Sequence, residues 1–148
     1  NLVHTVNPDL KLVGIDAAET MLTHARALVP SATFAIGDAT SITSVTDSSI
    51  GALLCTFVTH HLEDEEFHCA VNEFARVLSI GAPVYHVYWL GEGEMEGFAE
   101  LSDKPPPLLK RTEKFVDAAF AAAGLRKASG HVDTSYEWGH MGFATYCK

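Results

Sequence analysis

Residues 12–39 read LVGIDAAETMLTHARALVPSATFAIGDA, two short apolar runs that each end in an acid, with a stretch of helical spacing between them. The first run, Leu12 to Asp16, is almost unbroken, the pattern of a strand covered on both faces. Met21, Leu22, Ala25, Leu28 and Val29 then recur at intervals that place them on one face of a helix, which Pro30 closes. A second run, Ala32 to Gly37 through Phe34 and Ile36, reads as another strand. Strand, helix and strand in this order predict a parallel pair joined by a crossover helix.

The alternation continues outward. Ile50 to Val58, through Leu53, Leu54, Cys55 and Phe57, is a third apolar run. From Glu63 to Ser79 the spacing of Phe67, Ala70, Val71, Phe74, Val77 and Leu78 predicts a helix. Its opening acids, Glu63 to Glu66, suit the positive end of the helix dipole, and Gly81 suits a left-handed cap at the other end. Val84 to Trp89 is a further strand, and residues 90–111, rich in Gly, Glu and Pro, form the longest irregular stretch, read as a lid or connector. Thr112 caps a last helix through Phe115, Val116, Ala119, Phe120 and Ala123, stopped by Gly124. Leu125 to Val132 and Gly139 to Tyr146 are separated only by Asp133 to Trp138, too few residues for a parallel crossover, so they form an antiparallel hairpin. The fold class is α/β: an open sheet, mostly parallel with one antiparallel strand near its edge, and helices on both faces.

With 148 residues, 47% of them hydrophobic and 20% charged, and a mean hydropathy of +0.10, the chain is sized and composed for one folded core. The 19 acids outnumber the 10 Lys and Arg, and a net charge of −9 repels a phosphate backbone, so nucleic acid is not the expected partner. The local gathering of Lys104, Lys110, Arg111 and Lys114, broken by Pro105, Pro106, Pro107 and Glu113, reads as a solvated connector. No apolar run approaches the roughly 18 residues of a membrane span, and the first residues lack the order of a signal peptide. A protein of the cytoplasm, away from membranes, is the expectation. Cys55, Cys69 and Cys147 are odd in number and make no CxxC pair; they read as small core residues, not as disulfides, zinc ligands or nucleophiles.

Ligands of an open parallel sheet bind beyond the carboxyl ends of its strands. Asp16 stands at such an end, where a carboxylate can accept from both hydroxyls of a ribose or simply cap the helix that follows. Gly37, Asp38 and Ala39 offer a side-chain acceptor and a backbone N–H to a planar heterocycle, or an ordinary Asp-stabilised turn. The third strand ends Thr56, Phe57, Val58, Thr59, His60, His61, Leu62, and on extended backbone adjacent histidines point apart. A metal set drawn from His60, His61, His68, Glu63 and Asp64 lacks the spacing of a tight helical chelate, so no metal is expected.

In this order and spacing the features resemble the class I S-adenosylmethionine-dependent methyltransferases, most closely their small-molecule, methyltransferase-domain branch, over nearly the whole chain. Asp16, Met21 and Leu22 keep the register of a D-x-S-P-x-M-L segment, in which Ala18 and Glu19 replace Ser and Pro. Gly37, Asp38 and Ala39 match a G-D-A motif, and Cys55 to Leu62 is similar to a strand segment ending H-H-L. Glu73 to Ala82 resembles E-x-x-R-V-L-K-P-G-G without its Lys, Pro and second Gly. The resemblance implies a Rossmann-like sheet with S-adenosylmethionine as cofactor. Asp16 would hold the ribose, Ala17 and Met21 would pack on the adenine, and Asp38 with the Ala39 N–H would read its edge. The Thr56 and Phe57 backbone would lie along the methionine moiety. His60 and His61 are the candidate catalytic bases for an acceptor that carries a proton, with Tyr88 and the Glu92 to Glu96 loop on the acceptor side. Acidity and the aromatic Tyr85, Tyr88, Trp89 and Phe98 suit a small-molecule acceptor.

The departure is at the front. The chain opens Asn1, Leu2, Val3 and continues Asn7, Pro8, Asp9, Leu10, which looks like the helix that follows the family's G-x-G-x-G loop. The reading is one methyltransferase-like domain over residues 1–148, N-terminally incomplete, whose full activity requires the missing segment. Absence of a central strand would leave backbone N–H and C=O rows unpaired, at a cost of about a few kcal/mol for each group left dry. An upstream segment, another chain in a homo-oligomer or hetero-complex, or direct pairing of the flanking strands would resolve it. Two other functions fit the same residues: a methyltransferase-like, non-catalytic binding or scaffold subunit, and a nicotinamide-dependent oxidoreductase with Asp16 on the ribose.

Overall fold

The computed structural model describes residues 9–95, 108–136 and 139–148. They form two compact units, 1–45 and 46–148.

In the first unit, β1 (Val13–Asp16) and β2 (Thr33–Ile36) pair in parallel, with Asp16 opposite Ile36, and α1 (Glu19–Leu28) crosses between them and packs on both. The βαβ reading of residues 12–39 holds, but the expected apolar face of α1 does not close: Leu22 is buried while Met21 and Leu28 are exposed. Val13 and Ile36 are exposed too, so these strands are less covered than their composition suggests.

In the second unit the strand order is β3-β4-β8-β7, formed by β3 (Leu53–Thr56), β4 (Pro83–Leu90), β8 (His140–Cys147) and β7 (Arg126–Asp133). β3 and β4 are parallel, and β8 runs antiparallel to both β4 and β7. That is the expected mostly parallel order with one reversed strand next to the edge, because the β7–β8 connection is too short to cross over. β5 (Glu94–Met95) and β6 (Leu108–Leu109) add a small antiparallel ladder inside the stretch read as irregular. Residues 96–107 of that stretch, including Phe98 and Lys104 with its prolines, lie outside the described residues, as do Asn1 to Pro8 and residues 137–138.

Alternation along β4 sorts its side chains. Val84, His86 and Tyr88 face α2 (Asp64–Val77) and α3 (Glu113–Ala122), where Phe67, Phe120 and Tyr146 close a buried aromatic core. Val87 and Trp89 face the other way, against Leu108 and Met141.

The helix ends explain themselves. Glu63 and Glu66 exchange side-chain-to-backbone bonds in a capping box, Glu66 Oε2 accepting from the Glu63 N–H at 2.9 Å. Thr112 Oγ1 accepts from the Phe115 N–H at 3.2 Å, the cap read from its sequence. Gly81 is not the cap of α2: Leu78 ends that helix in an extended conformation, and Gly81 takes φ 81° in the following turn, its N–H donating to the Lys148 carbonyl. Near the end of α2, Arg76 binds Glu73 through Nε and Nη2, both at 2.8 Å, and reaches Asp47 at 2.6 Å, tying the helix to the turn before β3.

Candidate functional site

In the first unit the parallel register of β1 and β2 brings two acids to the same carboxyl edge. Asp16 ends β1, and Asp38 follows β2 by two residues. Asp16 Oδ1 accepts from the Ala18 N–H at 2.8 Å, entering the first turn of α1, and its main-chain carbonyl accepts from the Gly37 N–H at 3.1 Å. Asp38 Oδ1 accepts from both the N–H and the hydroxyl of Thr40, each at 2.8 Å, which holds its carboxyl below the usual carboxylate range. Asp38 thus forms the Asp-stabilised turn read from its sequence, whereas Asp16 is not the helix cap: the N-cap of α1 is Ala18, with no side-chain cap bond, and Asp16 binds that residue's N–H. The Oδ2 atom of each has no bonded partner among the described residues, so each retains an acceptor. Ala17 and Met21 are exposed next to Asp16, and Ala39 is half-buried after Asp38.

In the second unit the chain leaves β3 abruptly. Thr56 is the last strand residue, and Phe57 takes φ 58°, a left-handed conformation that costs a non-glycine residue about 1–2 kcal/mol. This turn overturns the extended backbone expected through His60 and His61. Thr59–His61 is a 3-10 turn, and the two imidazoles stand 4.1 Å apart instead of pointing away from each other. Thr59 and His60 are buried and His61 is exposed. Burial pushes His60 down to about 4, with help from the neighbouring His61 and Arg111 charges, and burial alone lowers His61. Half-exposed Phe57 lies between them and the sheet, its ring 6.3 Å from those of both His60 and Trp89.

Beneath this turn is a polar layer that the sequence reading did not single out. Thr59 Oγ1 is 2.9 Å from His86 Nε2, and burial pushes His86 down to about 3. Arg111, expected in a solvated connector, is instead only 4% exposed. Its Nη1 donates to the Thr59 carbonyl at 2.9 Å, and Nη2 donates to the Leu62 carbonyl at 2.6 Å and to Asp64 Oδ1 at 3.1 Å. Its guanidinium lies 4.6 Å over the Phe67 ring. The signals in the sequence were a histidine inside the apolar run of β4 and an arginine directly before a helix cap.

Tyr88, expected on the acceptor side, is only 4% exposed. It is buried on the helix-covered face, stacked 5.1 Å from His86, and a side chain at Gly142 would come within 2.3 Å of its ring. Burial raises its hydroxyl to about 12. Of the cysteines, Cys55 is a buried core residue as expected, but Cys69 is exposed. Among the described residues no three His, Cys, Asp or Glu side chains are grouped to hold a metal ion. None of the described helices is long and apolar enough to cross a membrane.

The profile of a methyltransferase-domain family matches residues 1–81, a span that carries both the Asp16–Asp38 edge and the His60–His61 turn. No curated protein matches the sequence at a significant level. Among solved structures, an S-adenosylmethionine-dependent methyltransferase of Methanosarcina mazei is similar with a TM-score of 0.83 at 17% identity, over 99% of this chain and 86% of that one. The PH0226 protein of Pyrococcus horikoshii gives a TM-score of 0.76 at 15% identity, over 95% of this chain and 73% of that one. The 1,6-didemethyltoxoflavin-N1-methyltransferase of Burkholderia thailandensis, solved with 1,6-didemethyltoxoflavin and S-adenosylhomocysteine, gives 0.76 at 11% identity, over 99% of this chain and 65% of that one. At such identities the likeness is one of fold. The profile match covers more than half of the sequence, and with it the chain belongs to the methyltransferase-domain family.

Proposed function

We propose that this chain binds S-adenosylmethionine and transfers its methyl group to a small-molecule acceptor. The observation that carries the reading is the pair of acids at one carboxyl edge, Asp16 and Asp38, each with one oxygen engaged in its own turn and the other unengaged. An acceptor-only group on a short, hydrogen-bonded turn suits ribose hydroxyls at Asp16 and the amino edge of an adenine at Asp38, beside the Ala39 N–H. Exposed Met21 and Ala17 would supply apolar surface to the base.

The bound cofactor would supply a methyl group on a positively charged sulfur, already a good leaving group. The protein's task is then mainly to position the acceptor. The Thr56–Phe57 backbone, where β3 ends in a left-handed turn, would lie along the cofactor's amino-acid portion. An acceptor that loses a proton needs a base. Of the two histidines, buried His60 is the weaker base, and exposed His61 is the better placed to take that proton.

Isothermal titration of the chain with S-adenosylhomocysteine tests the cofactor reading, with NAD as the control. Micromolar binding to the native chain is expected, with a loss of at least tenfold in Asp16→Asn. A native chain that takes up neither ligand would instead favour a non-catalytic binding subunit.

A further inference from the structure

Arg111 joins two strand ends that are distant in sequence. Its own N–H donates to the Trp89 carbonyl at 2.9 Å and its carbonyl accepts from the Gly91 N–H at 3.1 Å, which fixes its backbone to the end of β4. Its side chain reaches back to the turn after β3. The two carbonyls it holds there belong to Thr59 and Leu62, the residues immediately before and after His60 and His61.

Burying a guanidinium is expensive, and an apolar side chain could fill the same space against Phe67 and Phe115 at lower cost. The partial compensation by Asp64 is weak, because that carboxylate is exposed. What an apolar residue or a lysine cannot supply is a rigid planar fork with donors aimed at two carbonyls at once. A 3-10 turn is short and poorly bonded on its own, with only the Leu62 N–H to Thr59 carbonyl and His61 N–H to Val58 carbonyl contacts inside it.

We infer that Arg111 is a positioning residue for methyl transfer: its fork brackets the His60–His61 dipeptide and fixes where both imidazoles stand relative to the ends of β3 and β4. The inference rests on the proposed role of these histidines, and it adds a residue that touches neither cofactor nor acceptor.

The test uses Arg111→Lys and Arg111→Met in the whole chain, with the His60 titration followed by NMR and its resonance assigned by loss in His60→Asn. Burial pushes His60 down to about 4, which is the midpoint expected of the native chain. If the fork sets the turn, both variants raise that midpoint by at least one unit, since the turn frays and the ring gains water. A midpoint unmoved in both overturns the inference. So does a rise confined to Arg111→Met, which would assign the effect to charge and not to the fork. If neither variant folds, the native chain decides: couplings across the hydrogen bonds from the Arg111 guanidinium to the Thr59 and Leu62 carbonyl carbons are expected, and their absence overturns the inference. Failure of the native chain to bind S-adenosylhomocysteine would sink the cofactor reading and leave these spectroscopic outcomes unchanged.

Discussion

His60 and His86 are kept neutral by burial, and this ties folding to pH. In the unfolded chain both return to ordinary values near 6.5, whereas in the fold they lie at about 4 and about 3. Between pH 6.5 and pH 4 the unfolded chain therefore binds more protons, so stability is full above 6.5 and is lost as the pH falls. Two such groups give a slope of at most about 2.7 kcal/mol per pH unit. Urea midpoints measured from pH 7 to pH 4.5 should fall accordingly, and His86→Asn should remove about half of the fall. An unchanged slope in that variant would show that His86 is charged in the fold. The same residue marks a limit of sequence reading. A histidine within an apolar strand can be a satisfied core group or a ligand, and only the partner decides; here it is Thr59, 27 residues away. Arg111 was harder still, because a cation near lysines and prolines reads as solvated until its carbonyl partners, 49 and 52 residues distant, are known.

Periodicity located β1, β2, β4, β7, β8 and the three α-helices of the described residues, because each is decided by contacts its own spacing can encode. It overran β3, expected from Ile50 to Val58, since an apolar run does not report where the backbone will turn. Here Phe57 turns against its own preference. The β5–β6 ladder escaped for a related reason: two residues per strand leave no period to read. Caps were legible where the chemistry is local. Thr112→Ala should cost about 1 kcal/mol, lowering the thermal midpoint by roughly 3 °C for a chain of this size. A melting curve that does not move would mean that the Phe115 N–H finds another acceptor.

The two compact units differ in how much structure each holds. Among the described residues, the unit up to Val45 contributes two four-residue strands and one helix, whereas the unit from Thr46 contains the four-stranded sheet and the aromatic core under α2 and α3. A two-stranded pair is marginal without further cover, and protection from exchange tracks the size of the cooperative unit. Amide exchange should therefore be slowest in β4 and β8 and clearly faster in β1 and β2; equal protection in the two groups would contradict this division. The acids proposed for the cofactor sit in the smaller unit, so binding of S-adenosylhomocysteine would slow exchange there most.

Cys55 lies in β3, and burial lifts its thiol to about 12, out of reach of alkylating reagents, while Cys69 stands exposed on α2. A thiol reagent will mark Cys69 at once and Cys55 only in those moments when β3 parts from its neighbours. With half-buried Cys147 replaced by serine, the chain thus carries its own clock, in which the delay between the labels on Cys69 and Cys55 times the opening of the strand that leads into the histidine turn.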